Sequence, residues 1–342
     1  MDRQEYSTIE KIEELWKKLY KENPSLSWFQ SYLWNEALEK AFYNRRIRYH
    51  GCTLKYIVYD RRFIIPLVVN KREKDIELLG GKESSDYLSF IYDYSATDLE
   101  LISWIKHFLN EFKGYSISLE RINENNRLSS VLKEATKQLN VVCRIEEREC
   151  VVVNTNTNTD TFVSSLSKST RQNYRTAINR INKDGLKYKV INDYSMVSDS
   201  FQSELLNIYK ERRADCDSAD KVSDRTISLA KNCVKKMLGE NDFDVLSEYS
   251  KKDKVFVSQI FIDDGLAAFC EGNFNNRLDC ISIARVATNS QFYKYSPGMI
   301  LLIDTIEQLK TNITFFDLTR GTEDYKFKLG GVIHRNVCFY FN

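Results

Sequence analysis

The residues best placed to do chemistry lie towards the C-terminal end of the sequence. Tyr295-Ser296-Pro297-Gly298-Met299-Ile300 opens a run, Pro297 to Leu309, whose apolar residues recur at helical spacing. A serine before a proline is a natural N-cap followed by a residue suited to the first helical position. Gly298 leaves the first turn without a side chain. The amide hydrogens there, with the positive end of the helix dipole, make either an anion site or simply a well-capped helix. Downstream, Phe315-Phe316-Asp317-Leu318-Thr319-Arg320-Gly321 reads as a strand ending in charged and turn residues. The two-residue period sets Phe316 and Leu318 on one face, Asp317 and Thr319 on the other. A carboxylate inside so apolar a strand is costly unless partnered, and Arg320 is the nearest candidate. The two serve either a site at the strand's C-terminal end or an ion pair that closes a loop. Tyr325, Lys326 and Lys328 follow at once; the lysines are either anion ligands or solvated.

Two further groups carry charge in a pattern. At about 100° per residue, Lys168, Arg171 and Arg175 fall within about 60° of one another on one helix. This stripe either receives an anionic acceptor or is a solvated helix face. Tyr209-Lys210-Glu211-Arg212-Arg213 ends the next helix, where cations suit the negative pole. Asp86-Tyr87 follows Gly80-Gly81 and opens a strand, with Asp86 either capping the turn or meeting a ligand. Gly80-Gly81-Lys82-Glu83-Ser84 has the wrong spacing for a P-loop, and no GxSxG, HExxH or GxGxxG pattern exists. Hydrolase, zinc-protease and dinucleotide-oxidoreductase readings thus have no support.

These residues need a scaffold, and the composition allows a large one. The chain has 342 residues, 42% of them hydrophobic, which suits two packed domains and excludes a disordered chain. Its net charge of +2 excludes attachment to nucleic acid by bulk electrostatics, though not a local basic patch. Eight cysteines without a CxxC pair and three histidines argue against zinc, and reduced thiols in the cytoplasm are the simplest account. The N-terminus lacks signal-peptide order, and no apolar window is long enough to span a membrane.

Helices are expected over Ile9–Leu19, 30–42, 98–112, 127–138, 160–184, 197–213, 224–238 and 297–309. Strands are expected over 53–59, 63–69, 76–79, 87–92, 115–119, 141–145, 150–153, 243–249, 254–262, 266–272, 278–283 and 314–318. Asn154-Thr155-Asn156-Thr157-Asn158-Thr159 is a polar, low-complexity stretch that reads as a linker. Domains of 1–153 and 161–342, joined by 154–160, follow. Each half runs helix, helix, strands, helix, strand, which hints at two copies of one fold.

The succession of a YSPG helix start, a strand ending FDLTRG and a following YK resembles the GNAT-type acyltransferase domain of the FemAB-like superfamily, in its CelD-like, polysaccharide-associated branch. Lys168 to Arg175 is similar to that family's basic helix opening the catalytic half. Phe29-Gln30-Ser31, Ile65-Pro66-Leu67-Val68 and Ser85-Asp86-Tyr87-Leu88 look like features of its N-terminal half. The resemblance implies an α/β (α+β) fold of two GNAT-like lobes, each a mixed, mostly antiparallel sheet flanked by helices, facing a shared cleft. It implies acetyl-CoA or another acyl-CoA as co-substrate, its pyrophosphate held at Tyr295, Ser296, Gly298, Met299 and Ile300, and no metal. That loop departs from the usual two-glycine pattern, since only Gly298 is present and a proline precedes it. The catalytic strands would be 278–283 and 314–318, with a backbone N–H near Ser282–Arg285 polarising the thioester carbonyl. Asp317 is then the candidate base or acceptor-orienting group and Tyr325 the acid to the leaving thiolate, with Arg320 beside them. Asp86, Tyr87, Lys168, Arg171, Arg175 and Lys326 would bind the acceptor, a sugar, nucleotide-sugar or lipid-linked sugar. The alternatives are a Fem-like enzyme drawing an aminoacyl group from tRNA, and a non-catalytic binding module.

Overall fold

The computed structural model describes residues 1–342 apart from 46, 82–84, 158 and 220–243, and the backbone alone over 213–219. The chain divides into two units: Met1–Glu149 with Met237–Leu246 and Arg335–Asn342, and Cys150–Lys236 with Ser247–His334.

The first unit is a meander of β1 (Arg3–Tyr6), β2 (Cys52–Tyr59), β3 (Phe63–Asn70) and β4 (Asp75–Leu78), with a short β5 (Ile91–Tyr92) on β3. Its helices α1 (Glu13–Glu22) and α2 (Tyr32–Asn44) precede the meander. Helix α3 (Asp98–Glu111) then leads to β6 (Ser116–Asn123), parallel to β4 through Asp75↔Ser116, Ile76↔Ile117 and Glu77↔Ser118. After α4 (Arg127–Leu139), the far side of β6 is closed by β13 (Val332–Phe341). Strand β3 is buried from Phe63 to Val69, as its unbroken apolar run requires when both faces are covered. Aromatic packing fills the core, with Phe63 5.3 Å from Phe90 and 5.2 Å from Trp104 between ring centroids.

The second unit has the same wiring. β8 (Tyr188–Ser195), β9 (Val255–Ile262), β10 (Gly265–Phe274) and β11 (Cys280–Thr288) form a meander; α9 (Pro297–Leu309) leads to β12 (Phe315–Arg320), parallel to β11; β7 (Cys143–Asn154) closes the far side of β12. Helices α5 (Phe162–Ser165), α6 (Lys168–Lys183), α7 (Asp199–Ala219) and α10 (Asp324–Lys328) complete it, with the last four residues of α8 (Val245–Ser250). Helix α9 has a broad apolar face, and Ile300, Leu301, Leu302, Ile303 and Ile306 are buried against strands and α6, while Asp304, Glu307 and Gln308 share one side. The whole is mixed α/β, with mostly antiparallel sheets flanked by helices.

Four expectations change. Of the strand expected over 243–249, the described residues form a helix instead: Val245, Leu246, Tyr249 and Ser250 are the buried positions, the spacing of one helical face, and they lie in α8. The helix expected over 160–184 breaks at Leu166-Ser167, where Ser167 Oγ accepts from the Thr170 amide and caps α6. The strands expected over 141–145 and 150–153 are one strand, β7. Of 87–92, only Ile91–Tyr92 forms a strand, because Tyr87 takes a left-handed φ of 52°. Strands β1, β8 and β13 were not anticipated, and the helix expected over 224–238 lies outside the described residues.

Candidate functional site

Strands β11 and β12 pair at Cys280↔Phe315, Ile281↔Phe316 and Ser282↔Asp317 and then part. Beyond that point β11 pairs with β10 as far as Thr288, and β12 with β7, where Arg320 faces Cys150. Two irregularities accompany the parting. Glu271 faces Arg285 and Gly272 faces Ile283, so Ala284 is an extra residue, a bulge in β11. A Cβ on Gly272 would lie 2.2 Å from the Ser282 carbonyl oxygen, so only glycine lets the strands approach this closely. On β12 the extra residue falls between Asp317 and Arg320, and Thr319 there has a φ of 56°.

Asp317 is buried at the point of divergence, 3% exposed. Phe316 and Leu318 join the core with α9, so Asp317 occupies the opposite face, as the strand period predicts. Ser282 Oγ donates to its Oδ2 at 3.0 Å and the Thr319 amide to its Oδ1 at 2.7 Å. These two donors stand where Arg320 was expected; the Arg320 residue itself is exposed at the strand end.

Sequence reasoning missed a buried charge pair beside this point. Glu271 is fully buried and accepts from Arg285 Nη1 at 3.1 Å, and the Arg285 guanidinium lies 4.5 Å from the ring centroid of Tyr209 on α7. The signal was the same one that picked out Asp317: a lone charge in each of two apolar strands, Ala267–Gly272 and Ile281–Val286.

The loop before α9 differs in detail from its expectation. Ser296 sits in the left-handed region, φ 51° and ψ 49°, and its side chain makes no capping bond; its carbonyl accepts from the Met299 amide at 3.1 Å. A left-handed residue turns its side chain away from the first-turn amides, so the serine hydroxyl does not serve as the cap. Pro297 is the first helical residue as expected. Gly298 packs so close to the end of β11 that a Cβ would lie 2.9 Å from Thr288 Oγ1. Tyr295 is buried and donates its hydroxyl to Asp184 Oδ2 at 2.7 Å, and Lys294 Nζ donates to the same oxygen at 2.9 Å. Ile300 points into the core, which leaves its backbone as the part a ligand could meet.

After β12 the chain turns sharply, and Lys326 holds the turn. Its side chain is 3% exposed, and its ammonium meets the carbonyls of Arg320 at 2.5 Å and Gly321 at 3.1 Å and the Glu323 carboxylate at 3.0 Å. Three acceptors use its three N–H groups, so it braces the backbone; the expectation that it binds substrate is corrected on that ground. Tyr325, its neighbour, is over one third exposed. Partial burial, with the Glu323 carboxylate nearby, pushes its phenol up to about 12, while Arg212 on α7 acts in the opposite sense. Arg212 belongs to the basic run that ended a helix in the sequence reading; α7 continues past it to Ala219.

Asp317, Arg320, Tyr325 and the Tyr295–Ile300 loop therefore all occupy the C-terminal edge of one parallel strand pair, where the connection into α9 begins and where β12 ends. The basic stripe is divided. Lys168 and Arg175 are exposed, but Arg171 donates to the carbonyls of Leu166 at 2.5 Å and Ser164 at 3.2 Å, closing α5. Asp86 and Tyr87 belong to the first unit. Asp86 is 3% exposed, and the Tyr87 carbonyl accepts from Gln30 Nε2 at 2.8 Å. Among the described residues no cluster of His, Cys, Asp and Glu has the arrangement of a metal site, and no helix is long and apolar enough to cross a membrane.

Residues 168–327, the span that holds this strand pair, match the family described as an acetyltransferase (GNAT) domain. Three solved structures share the fold over nearly all of the chain. A conserved protein of unknown function from Bacteroides thetaiotaomicron is 11% identical, with 100% of both chains covered and a TM-score of 0.55. The C-terminal domain of a candidate lysylphosphatidylglycerol synthetase from Agrobacterium fabrum is 11% identical, with 98% and 93% covered and a TM-score of 0.52. FemX is 13% identical, with 100% and 98% covered and a TM-score of 0.51. At such identities the likeness speaks for the fold alone. No curated protein matches the sequence.

Proposed function

We propose that the second unit transfers an acyl group from an acyl-CoA, acetyl-CoA first among them, to an amine or hydroxyl of a sugar, nucleotide-sugar or lipid-linked sugar, in the manner of the CelD-like branch. The observation that carries this reading is the parting of β11 and β12 at Ser282/Asp317 with an extra residue at Ala284. A gap between parallel strands exposes backbone amides that ordinary pairing would consume. A thioester laid in it has its carbonyl within reach of an amide at the bulge and its phosphates at the start of α9.

Three proton and charge events follow from acyl transfer, and each has a residue. Asp317 orients the acceptor and takes its proton as the new C–N or C–O bond forms. The amide at the bulge holds the negative charge of the tetrahedral oxygen. Tyr325, whose phenol stays protonated far above neutrality, returns a proton to the sulfur as the C–S bond breaks. An anionic acceptor is met by Arg320 at the strand end and by the exposed Lys168 and Arg175. An acyl-CoA donor also fits a protein working in the cytoplasm.

A second reading keeps the chemistry and exchanges the donor for aminoacyl-tRNA, with the same basic side chains meeting the tRNA. Its support is the fold shared with FemX and with the lysylphosphatidylglycerol synthetase domain. Purified protein offered labelled acetyl-CoA and labelled aminoacyl-tRNA, each with amino-sugar and nucleotide-sugar acceptors, separates the two. Transfer from acetyl-CoA alone upholds the first reading, and transfer from tRNA alone replaces it. The absence of both transfers, with no thermal shift on adding CoA, refutes both and leaves a binding module.

A further inference from the structure

We propose that Thr319 is the positioning residue that sets the Asp317 carboxylate towards the acceptor, an inference that rests on the acyl-transfer reading. Thr319 lies within β12 yet takes a φ of 56°, a conformation in which a β-branched side chain is strained. Such a residue persists only where its surroundings determine it. Here two bonds do so. Its amide donates to Asp317 Oδ1 at 2.7 Å, and its Oγ1 donates to the Ile283 carbonyl at 3.0 Å.

Each bond does a separate task. In an unbroken parallel ladder the backbone amides of β12 would bond across to a neighbouring strand. The left-handed turn at Thr319 aims its amide back at the carboxylate two residues earlier. With Ser282 Oγ on Oδ2, each carboxylate oxygen then accepts a fixed donor, which pins the side-chain rotation of Asp317. The hydroxyl meanwhile supplies a bond from β12 to β11 just beyond the last backbone pair, Ser282↔Asp317, and so sets how far apart the strands stand there. Glycine would adopt this backbone without strain but has no hydroxyl to reach Ile283. The strained residue is therefore the one that both turns the amide and ties the strands. Thr319 is 7% exposed, buried at the divergence itself.

Four variants test this: Thr319→Ser, Thr319→Ala, Thr319→Gly and Asp317→Asn. Two readouts are used, hydrogen exchange of the residue-319 amide in the full chain, and kcat and KM for acyl transfer. Thr319→Ser keeps the hydroxyl and should retain amide protection and turnover within about three-fold. Thr319→Gly relieves the strain, so it should remain folded, yet its amide should exchange faster and kcat should fall about ten-fold or more with donor KM unchanged. Thr319→Ala should follow Thr319→Gly, and Asp317→Asn should also loosen the residue-319 amide. The proposal is overturned if the Gly and Ala variants keep wild-type exchange and kcat, or if the Ser variant fails as badly as they do. If amide protection follows the hydroxyl as expected while no variant and no wild-type protein transfers an acyl group, the placement of Asp317 stands and the acyl-transfer reading falls.

Discussion

Replacing Gly272 with alanine strikes the bulge of β11 directly. The new Cβ would lie 2.2 Å from the Ser282 carbonyl oxygen and 2.9 Å from the Ile283 Cα, both backbone atoms that cannot swing aside. Restoring an ordinary contact of 3.4 Å moves β10 and β11 apart by about 1.2 Å, the difference between 3.4 and 2.2 Å. Overpacking of this kind costs about 1–3 kcal/mol. For a unit of this size each kcal/mol lowers Tm by about 2–4 °C, so a drop of about 2–12 °C is expected in a calorimetric scan. The functional loss should be larger than the stability loss suggests. An ångström of displacement at an amide that must meet a developing oxyanion costs about a hundred-fold in rate. Turnover measured well below the new Tm should therefore fall about a hundred-fold. A variant with wild-type Tm would refute the close approach, and one that is destabilised yet fully active would refute the role given to the bulge.

Glu271→Gln should cost about 3–5 kcal/mol in denaturant unfolding because it removes the carboxylate charge that faces the buried Arg285 guanidinium, whereas the double change Glu271→Met with Arg285→Met should cost far less; equal losses would contradict a buried charge pair. Burial and Glu323 raise the Tyr325 phenol from 10.0 to about 12, which favours its neutral form, so it gives up its proton only well above pH 10. The alkaline limb of a pH–rate profile between pH 8 and 10 should accordingly survive in Tyr325→Phe while kcat falls; a limb near pH 9 that vanishes in the variant would contradict this. Lys326→Met leaves two turn carbonyls without their donor and should cost about 2 kcal/mol or more, read as a lowered unfolding midpoint. An unchanged midpoint with weaker acceptor binding would return Lys326 to the substrate.

What the sequence made legible was local. Helix α9 runs from Pro297 to Leu309 as read, because a proline fixes its start and its apolar run needs burial wherever it packs. The face of Asp317 followed from the two-residue period alone. Strand β8 escaped notice because it is an edge strand whose residues are exposed or half-buried, so its polarity resembles that of a loop. Residues 245–250 were short and apolar, a length at which strand and helix have the same signature. The bulge at Ala284, the parting of β11 from β12 and the strained Thr319 depend on how strands register with partners far along the chain, which no local pattern encodes. The Glu271–Arg285 pair was within reach, since the turn at Asn275-Asn276-Arg277 folds β10 back on β11 and brings the two lone charges opposite each other.

The most direct test is backbone amide mapping by NMR or hydrogen exchange on the full chain, with and without a saturating non-hydrolysable acyl-CoA analogue. Protection should concentrate at Ala284–Arg285, at Gly298–Ile300 and around Asp317–Tyr325. Saturable binding of the analogue with those amides unchanged, and protection elsewhere, would contradict it.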